Sequence, residues 1–183
     1  MRIVGGSAKG RRLTVPPAGT RPTSDRAREA MFNSLRSLVD LDGAHVLDLF
    51  AGTGAVGLEA LSRGAATVTF VESDRAACEV LRRNVDAVAL PGATVVRRPV
   101  ESVLATATTE RAEFVFADPP YVLSGAQLSA VLARLVVGGW LAGGAILVVE
   151  RSARDAPLAW PDGVTPVMNR GYGEGALWYG RAQ

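Results

Sequence analysis

From His45 onward, short apolar or β-branched runs alternate with stretches whose apolar residues recur at helical spacing. The runs His45–Phe50, Thr67–Glu72, Thr94–Arg97, Ala112–Ala117 and Ala145–Glu150 have the length and near-continuous apolar content of strands buried on both faces. Between them Gly54–Arg63, Asp74–Leu90, Val100–Ala107 and Gly125–Val137 read as helices. That alternation predicts an α/β fold, a parallel sheet with helices on both faces. The rhythm breaks near the end. Thr165–Arg170 and Ala176–Gly180 flank Gly171-Tyr-Gly-Glu-Gly175 with no room for a helix, which predicts an antiparallel hairpin finishing the sheet.

Ahead of this region, Arg2–Gly5 and Arg11–Val15 predict two short strands around the turn Gly6-Ser-Ala-Lys-Gly10. Pro16-Pro17-Ala-Gly-Thr-Arg-Pro22 breaks regular structure and reads as the only linker. After it, Thr23, Ser24 or Asp25 can cap a helix whose stripe Ala27, Met31, Leu35, Leu38 and Val39 faces the core, with Arg28 and Arg36 pointing elsewhere. The expected organisation is therefore a basic hairpin and arm over residues 1–20, then one domain over 21–183.

With 183 residues and 48% hydrophobic content, the chain can bury a substantial core without disulfides or a structural metal. No apolar stretch is long enough to span a membrane and no hydrophobic leader opens the sequence, so a cytoplasmic protein, monomeric by default, is expected. The lone Cys78 has no companion for a disulfide or zinc site and reads as a small buried apolar residue. The net charge of +2 is unevenly placed. Before residue 29, Arg2, Lys9, Arg11, Arg12, Arg21, Arg26 and Arg28 face Asp25 as the only acid, seven charges against one. Such an excess is a footprint for phosphates; the alternative is a solvated arm in an Arg-rich chain.

Two motifs carry chemistry. Asp48-Leu-Phe-Ala-Gly-Thr-Gly54 closes the first strand, and Gly52-Thr-Gly54-Ala-Val-Gly57 matches the dinucleotide fingerprint, with Glu72 placed at the end of the next strand to accept ribose hydroxyls. On that loop alone a nicotinamide dehydrogenase stays open. The second motif, Asp118-Pro119-Pro120-Tyr121, follows the fourth strand. Asp118 and a proline carbonyl can hold the two N–H bonds of an exocyclic amine while Tyr121 stacks on its ring, a use that an amine methyltransferase has and a dehydrogenase lacks. Both motifs fall at strand carboxyl ends, where open α/β sheets bind ligands.

Together Asp48–Gly54, Glu72 and Asp118–Tyr121 resemble the S-adenosylmethionine-dependent methyltransferases, the last motif being typical of enzymes acting on exocyclic amines. More closely, the chain resembles the RsmD family of 16S rRNA guanine-N2 methyltransferases. That likeness also rests on Arg2-Ile-Val-Gly-Gly, Gly10-Arg-Arg-Leu, Arg21-Pro-Thr-Ser-Asp-Arg-Ala-Arg-Glu29 and Gly57-Leu-Glu-Ala-Leu-Ser-Arg63.

The resemblance implies a Rossmann-like class I fold, a mostly parallel seven-stranded sheet with a small N-terminal β-hairpin. It also implies S-adenosylmethionine as cofactor without a metal, and 16S rRNA, in the small ribosomal subunit or its assembly intermediate, as partner. By position, Asp48 would hold the cofactor's amino-acid end, Phe50, Ala51, Gly52 and Gly54 would line its loop, and Glu72 with Ser73 would meet the ribose. Thr23 and Arg26 would close the site near the cofactor carboxylate, and Arg2, Lys9, Arg11, Arg12 and Arg21 would grip RNA. One departure from relatives, Pro99-Val100, leaves the Val100 N–H to meet the adenine. His45 is expected to be structural, while Arg151 and Arg154 are placed between RNA contact and solvent. Two rivals stay open: adenine-N6 methylation, which uses the same Asp-Pro-Pro-Tyr, and a non-catalytic ribosome-assembly protein.

Overall fold

The computed structural model describes residues 1–15 and 24–183. The element order is α1 Asp25–Leu35, β1 His45–Leu49, α2 Ala55–Ser62, β2 Thr67–Glu72, α3 Arg75–Val88, β3 Ala93–Arg97, α4 Val100–Leu104, β4 Ala112–Ala117, α5 Gly125–Val137, β5 Leu141–Ser152, β6 Val164–Tyr172 and β7 Gly175–Ala182. One seven-stranded sheet has the order β3-β2-β1-β4-β5-β7-β6. The first five strands in that order are parallel. The tail forms the expected hairpin, and β7 lies antiparallel between β5 and β6. No helix among the described residues is long and apolar enough to cross a membrane.

Strand alternation sorts the core into two layers. Val46, Val68, Phe70, Phe114, Phe116, Ile146 and Val148 pack with residues of α1, α2 and α3. Their strand neighbours Leu47, Leu49, Val71, Val115, Ala117, Leu147 and Val149 pack with α4 and α5. Each fully buried large side chain contributes about 1.5–3 kcal/mol, so a one-residue slip of any central strand would exchange two apolar faces rather than expose one. Gly57 sets how closely α2 approaches the sheet, since a Cβ there would stand 2.3 Å from Phe70 Cε1 and 2.7 Å from Val68 Cγ1.

Several local expectations are corrected. Ser24 is the cap of α1, accepting the Ala27 N–H at 3.1 Å, and the helix stops at Leu35, so Leu38 and Val39 pack against the core from the following turn. Helix α4 ends at Leu104 rather than Ala107. Regular pairing of the two N-terminal segments is limited to a single bridge between Arg2 and Arg12, although Ile3 N–H to Arg11 O at 2.9 Å, Leu13 N–H to Met1 O at 3.0 Å and Gly10 N–H to Ile3 O at 2.9 Å still close the hairpin, whose turn docks on α2. Ser7 N–H donates to Ser62 O at 2.7 Å, Ala8 N–H to Ser62 Oγ at 2.9 Å, and Ser62 Oγ to Gly5 O at 2.6 Å. Gly6 fits there with a positive φ of 75°, where a Cβ would lie 1.7 Å from Ser62 O. Ile3, Ala8 and Leu13 are buried in the same core as α1 and α2. The predicted linker, with Arg21 and Thr23, lies outside the described residues.

Arg28 does not point away from the core; it is fully buried. Its guanidinium donates to Arg2 O and, at 3.0 Å, to Asp25 Oδ1, and its Nε lies 3.8 Å from Glu59 Oε2. The cause is Glu59, a fully buried carboxylate in an otherwise apolar α2. A charge in such a place needs a cation and hydrogen bonds. Glu59 also receives Val4 N–H at 2.8 Å and Arg63 Nε at 2.9 Å, and Arg63 in turn lies over the Phe32 ring at 4.8 Å.

Candidate active site

Strand order reverses between β1 and β4, the switch point where doubly wound sheets bind ligands beyond their strand ends. Leu49 pairs with both Val71 and Ala117, and Ala117 pairs with Val149. The residues one step further, Glu72, Phe50, Asp118 and Glu150, therefore form one row across β2, β1, β4 and β5. Two residues beyond Phe70, Phe116 and Val148, the three carboxylates project on the α1–α3 side, as does Asp48, two beyond Val46.

The loop after β1 is built from left-handed turns. Phe50 has φ 57°, Gly52 54° and Gly54 75°. A non-glycine residue there stores strain, which Ala51 N–H to Val71 O at 3.1 Å and Gly54 N–H to Ala51 O at 2.7 Å offset. Asp48, 1% exposed, accepts Gly57 N–H at 2.9 Å and so ties the start of α2 to β1. Burial raises its pKa well above the usual carboxylate range; the Gly57 bond opposes this, and the charges of Asp118 and Glu72 add to it. Glu72 turns toward the glycine loop, Oε2 accepting Gly52 N–H at 2.9 Å and Oε1 the Ser73 and Asp74 N–H groups at 2.8 Å each. A carboxylate offers about four lone-pair sites, so three amides leave capacity for one more bond, on Oε2.

At the neighbouring strand end, Asp118 N–H reaches Leu49 O at 3.3 Å and extends the ladder by one residue. Burial first, and the Glu150 charge second, push the Asp118 carboxyl up to about 7. Pro119 is buried and Pro120 exposed, and Leu123 N–H closes a turn on Pro120 O at 2.9 Å. Beyond that turn Tyr121 is 80% exposed, free to stack on an incoming ring, and the Ser124–Gln127 capping box starts α5. Arg151 braces this loop, donating to Leu123 O at 3.2 Å and to Asp155 Oδ2 at 2.8 Å; Arg154 stays exposed.

The remaining expected residues divide. Arg2, Lys9, Arg12 and Arg26 are exposed. Arg11 is exposed as well, and its guanidinium donates to Val88 O and Ala87 O at the carboxyl end of α3, where a cation meets the negative end of the helix dipole. Val100 opens α4, so its N–H has no partner within the helix and remains available beside the Glu72 strand, since Arg97 pairs with Glu72. His45 sits at the opposite end of β1, bonded to Thr67 and Glu113, and Cys78 is buried against Glu72 O. Two further residues were not singled out from the sequence: Glu150, and Asn84, which is 1% exposed. Asn84 Oδ1 accepts Thr14 N–H at 2.8 Å, and its Nδ2 donates to Thr14 O at 3.1 Å and to Thr53 O at 2.9 Å, tying the N-terminal segment to the glycine loop. An amide set within the Leu81–Val88 face of α3 was the available signal.

A family model described as "Conserved hypothetical protein 95" matches residues 1–181. The Escherichia coli protein named ribosomal RNA small subunit methyltransferase D is 44% identical over 165 residues, 87% of this chain and 81% of that one. The chain belongs to the RsmD family. Its Haemophilus influenzae relative of the same name is 34% identical over 169 residues, 90% of this chain and 85% of its own. Among solved structures, the one named "Putative methyltransferase yhhF from Escherichia coli" superposes with a TM-score of 0.88 at 34% identity, covering 100% of this chain and 98% of that one. A Thermus thermophilus hypothetical protein gives 0.81 at 39% identity, covering 98% of both. The RsmD sheet seen here is the Rossmann-like class I methyltransferase sheet. Its loop fits a nucleoside-bearing cofactor: a Cβ on Gly52 would stand in open space, 4.0 Å from Phe50 O, with the Glu72 carboxylate behind it for hydroxyl donors and the Val100 N–H for a base edge.

Proposed function

We propose that this protein transfers a methyl group from S-adenosylmethionine to the exocyclic N2 of one guanine in 16S rRNA of the small ribosomal subunit. Action on ribosomal RNA rests on the RsmD relatives, which bear the name rRNA small subunit methyltransferase. Use of S-adenosylmethionine rests on the fold and the fit of the loop. The choice of guanine N2 is our reading. The observation that supports methyl transfer to an exocyclic amine is the row itself: Asp118 stands one strand from the Phe50 loop and two from Glu72, so a base and a cofactor would meet across a single strand end.

When bound, the cofactor supplies an electrophilic methyl on a sulfonium. The chain positions the nucleophile. Asp118 accepts one N2–H and a proline carbonyl of Pro119 or Pro120 the other, Tyr121 stacks on the purine, and the nitrogen lone pair is aimed at the methyl. As N2 gains positive charge, its proton passes to the Asp118 carboxylate, whose pKa near 7 suits acceptance at neutral pH. Asp48 and the Phe50–Gly54 loop hold the cofactor's amino-acid end, with Thr23 and Arg26 closing over it. Lys9, Arg12, Arg2 and Arg21 supply phosphate contacts from the arm over residues 1–20, while residues 21–183 form the catalytic domain. The protein acts in the cytoplasm, as a monomer, on the subunit or its assembly intermediate.

The test is labelled methyl transfer to small subunits lacking the modification, followed by nucleoside analysis. Label in N2-methylguanosine is expected, and Asp118→Ala is expected to bind cofactor yet transfer nothing. Label in N6-methyladenosine would overturn the target. Cofactor binding without transfer would favour an assembly factor.

A further inference from the structure

The base half of the crevice holds two carboxylates. Ala117 pairs with Val149, so Glu150 at the end of β5 stands level with Asp118 and, two residues past Phe116 and Val148, on the same side of the sheet. Glu150 leans toward the final strand, its Oε1 lying 3.4 Å from where a Cβ on Gly175 would be. Gly175 thus leaves its flank clear. The proximity of the two acids is felt electrostatically, since the Glu150 charge is the second cause, after burial, of the raised Asp118 pKa. Two anions side by side resist a phosphate and call for N–H donors on adjacent atoms.

Purines differ at that edge. Guanine presents N1–H next to its 2-amino group, three N–H donors in one row, whereas adenine presents an acceptor at N1 beside its amine. One carboxylate suffices for an amine. With the amine's other N–H held by a proline carbonyl, a second carboxylate is matched by a base whose ring nitrogen also donates. Glu150 carries other interactions in this structure, yet a carboxylate has about four lone-pair sites and can accept a further bond.

We infer that Glu150 is the guanine-specificity residue, accepting the N1–H of the target base while Asp118 accepts an N2–H. The inference rests on the guanine-N2 reading above. It places base choice in β5 rather than in the Asp-Pro-Pro-Tyr motif, which serves either purine.

The experiment compares target RNAs, assembled into small subunits, that carry guanine or 2,6-diaminopurine at the methylated position. Both bases offer the same 2-amino nucleophile, but diaminopurine has an acceptor at N1. The wild-type protein is expected to prefer guanine in kcat/KM by roughly tenfold to a hundredfold, the range for one good base-edge pairing. Glu150→Gln is expected to bring that ratio close to one, because a rotated amide donates to N1 as readily as it accepts from N1–H. The ratio is taken within one protein preparation, so loss of folded protein cancels. A wild-type ratio near one, or an undiminished preference in Glu150→Gln, would overturn the assignment of Glu150. Absence of N2-methylguanosine from wild-type reactions on guanine would instead overturn the underlying reading.

Discussion

The Asp118 carboxyl, pushed up to about 7, gives activity and stability opposite dependences on pH. In the proposed role of amine-proton acceptor it would work ionised, so about half the molecules would be competent at pH 7, about a tenth at pH 6 and about a hundredth at pH 5. The kcat/KM for methyl transfer should rise about tenfold per unit below 7 and flatten above it. Stability runs the other way. The folded value exceeds the ordinary 3.8, so the folded state holds the proton more tightly; the stabilisation is complete below about 4 and is lost as pH rises through 7. The difference, about three units, corresponds to about 4 kcal/mol at most. Asp118→Asn keeps the shape, cannot ionise, and should be the more stable protein at pH 8 by up to that amount while inactive. Glu150→Gln should shift the activity limb toward acid without restoring an ordinary value, because burial, the larger cause, remains. Urea unfolding across this pH range, beside labelled-methyl rates, measures both arms. A rate profile flat from about pH 5 to 8, or an Asp118→Asn protein no more stable than wild type at pH 8, would refute this reasoning.

Other outcomes follow from the packing. Glu59→Ala leaves the buried Arg28 with Asp25 beside it but removes one of its two carboxylates and the acceptor of Val4 N–H and Arg63, and should cost about 3–5 kcal/mol, seen as a Tm lower by roughly 6–20 °C; a loss under about 1 kcal/mol would show the network is not needed. Replacing the exposed Lys9 and Arg12 together should lower the salt slope of RNA binding by about 1 to 2 and leave cofactor affinity unchanged in a filter-binding titration. Gly57→Ala should destabilise by about 1–3 kcal/mol in denaturant titration, since its Cβ meets Phe70 and Val68 below 3 Å.

Much of the fold could be read from the chain because it is local. Near-continuous apolar runs marked the five parallel strands, and the glycine-rich break at Gly171–Gly175 marked the hairpin. Both site motifs also fell at strand carboxyl ends as expected. What escaped was decided by distant partners. Helical spacing put Arg28 outside the apolar stripe, and its burial is made tenable by Asp25, the Arg2 carbonyl and Glu59, the last 31 residues further along. The hairpin of residues 2–15 closes through Ile3, Gly10 and Leu13, but its turn docks on Ser62 and its Val4 N–H on Glu59, partners far away in the chain. The bond of Arg11 to the last carbonyls of α3 was equally out of reach of the sequence. Glu150 ends a strand with no flanking motif, and its meaning comes from register with Ala117 and Asp118.

The placement of β7 between β5 and β6 bears on the order in which the molecule is assembled. β6 is made first, yet its sheet partner is β7, the strand that follows it in the chain. While the polypeptide is still emerging from a ribosome, β5 shows an open edge, β6 lacks its native partner, and the Glu150 end of the crevice lacks the strand that flanks it. A chain halted before Gly175 therefore presents a parallel sheet with one raw margin, the kind of edge that recruits other chains. Completion of the Glu150 side of the crevice is coupled to the arrival of the hairpin's second arm.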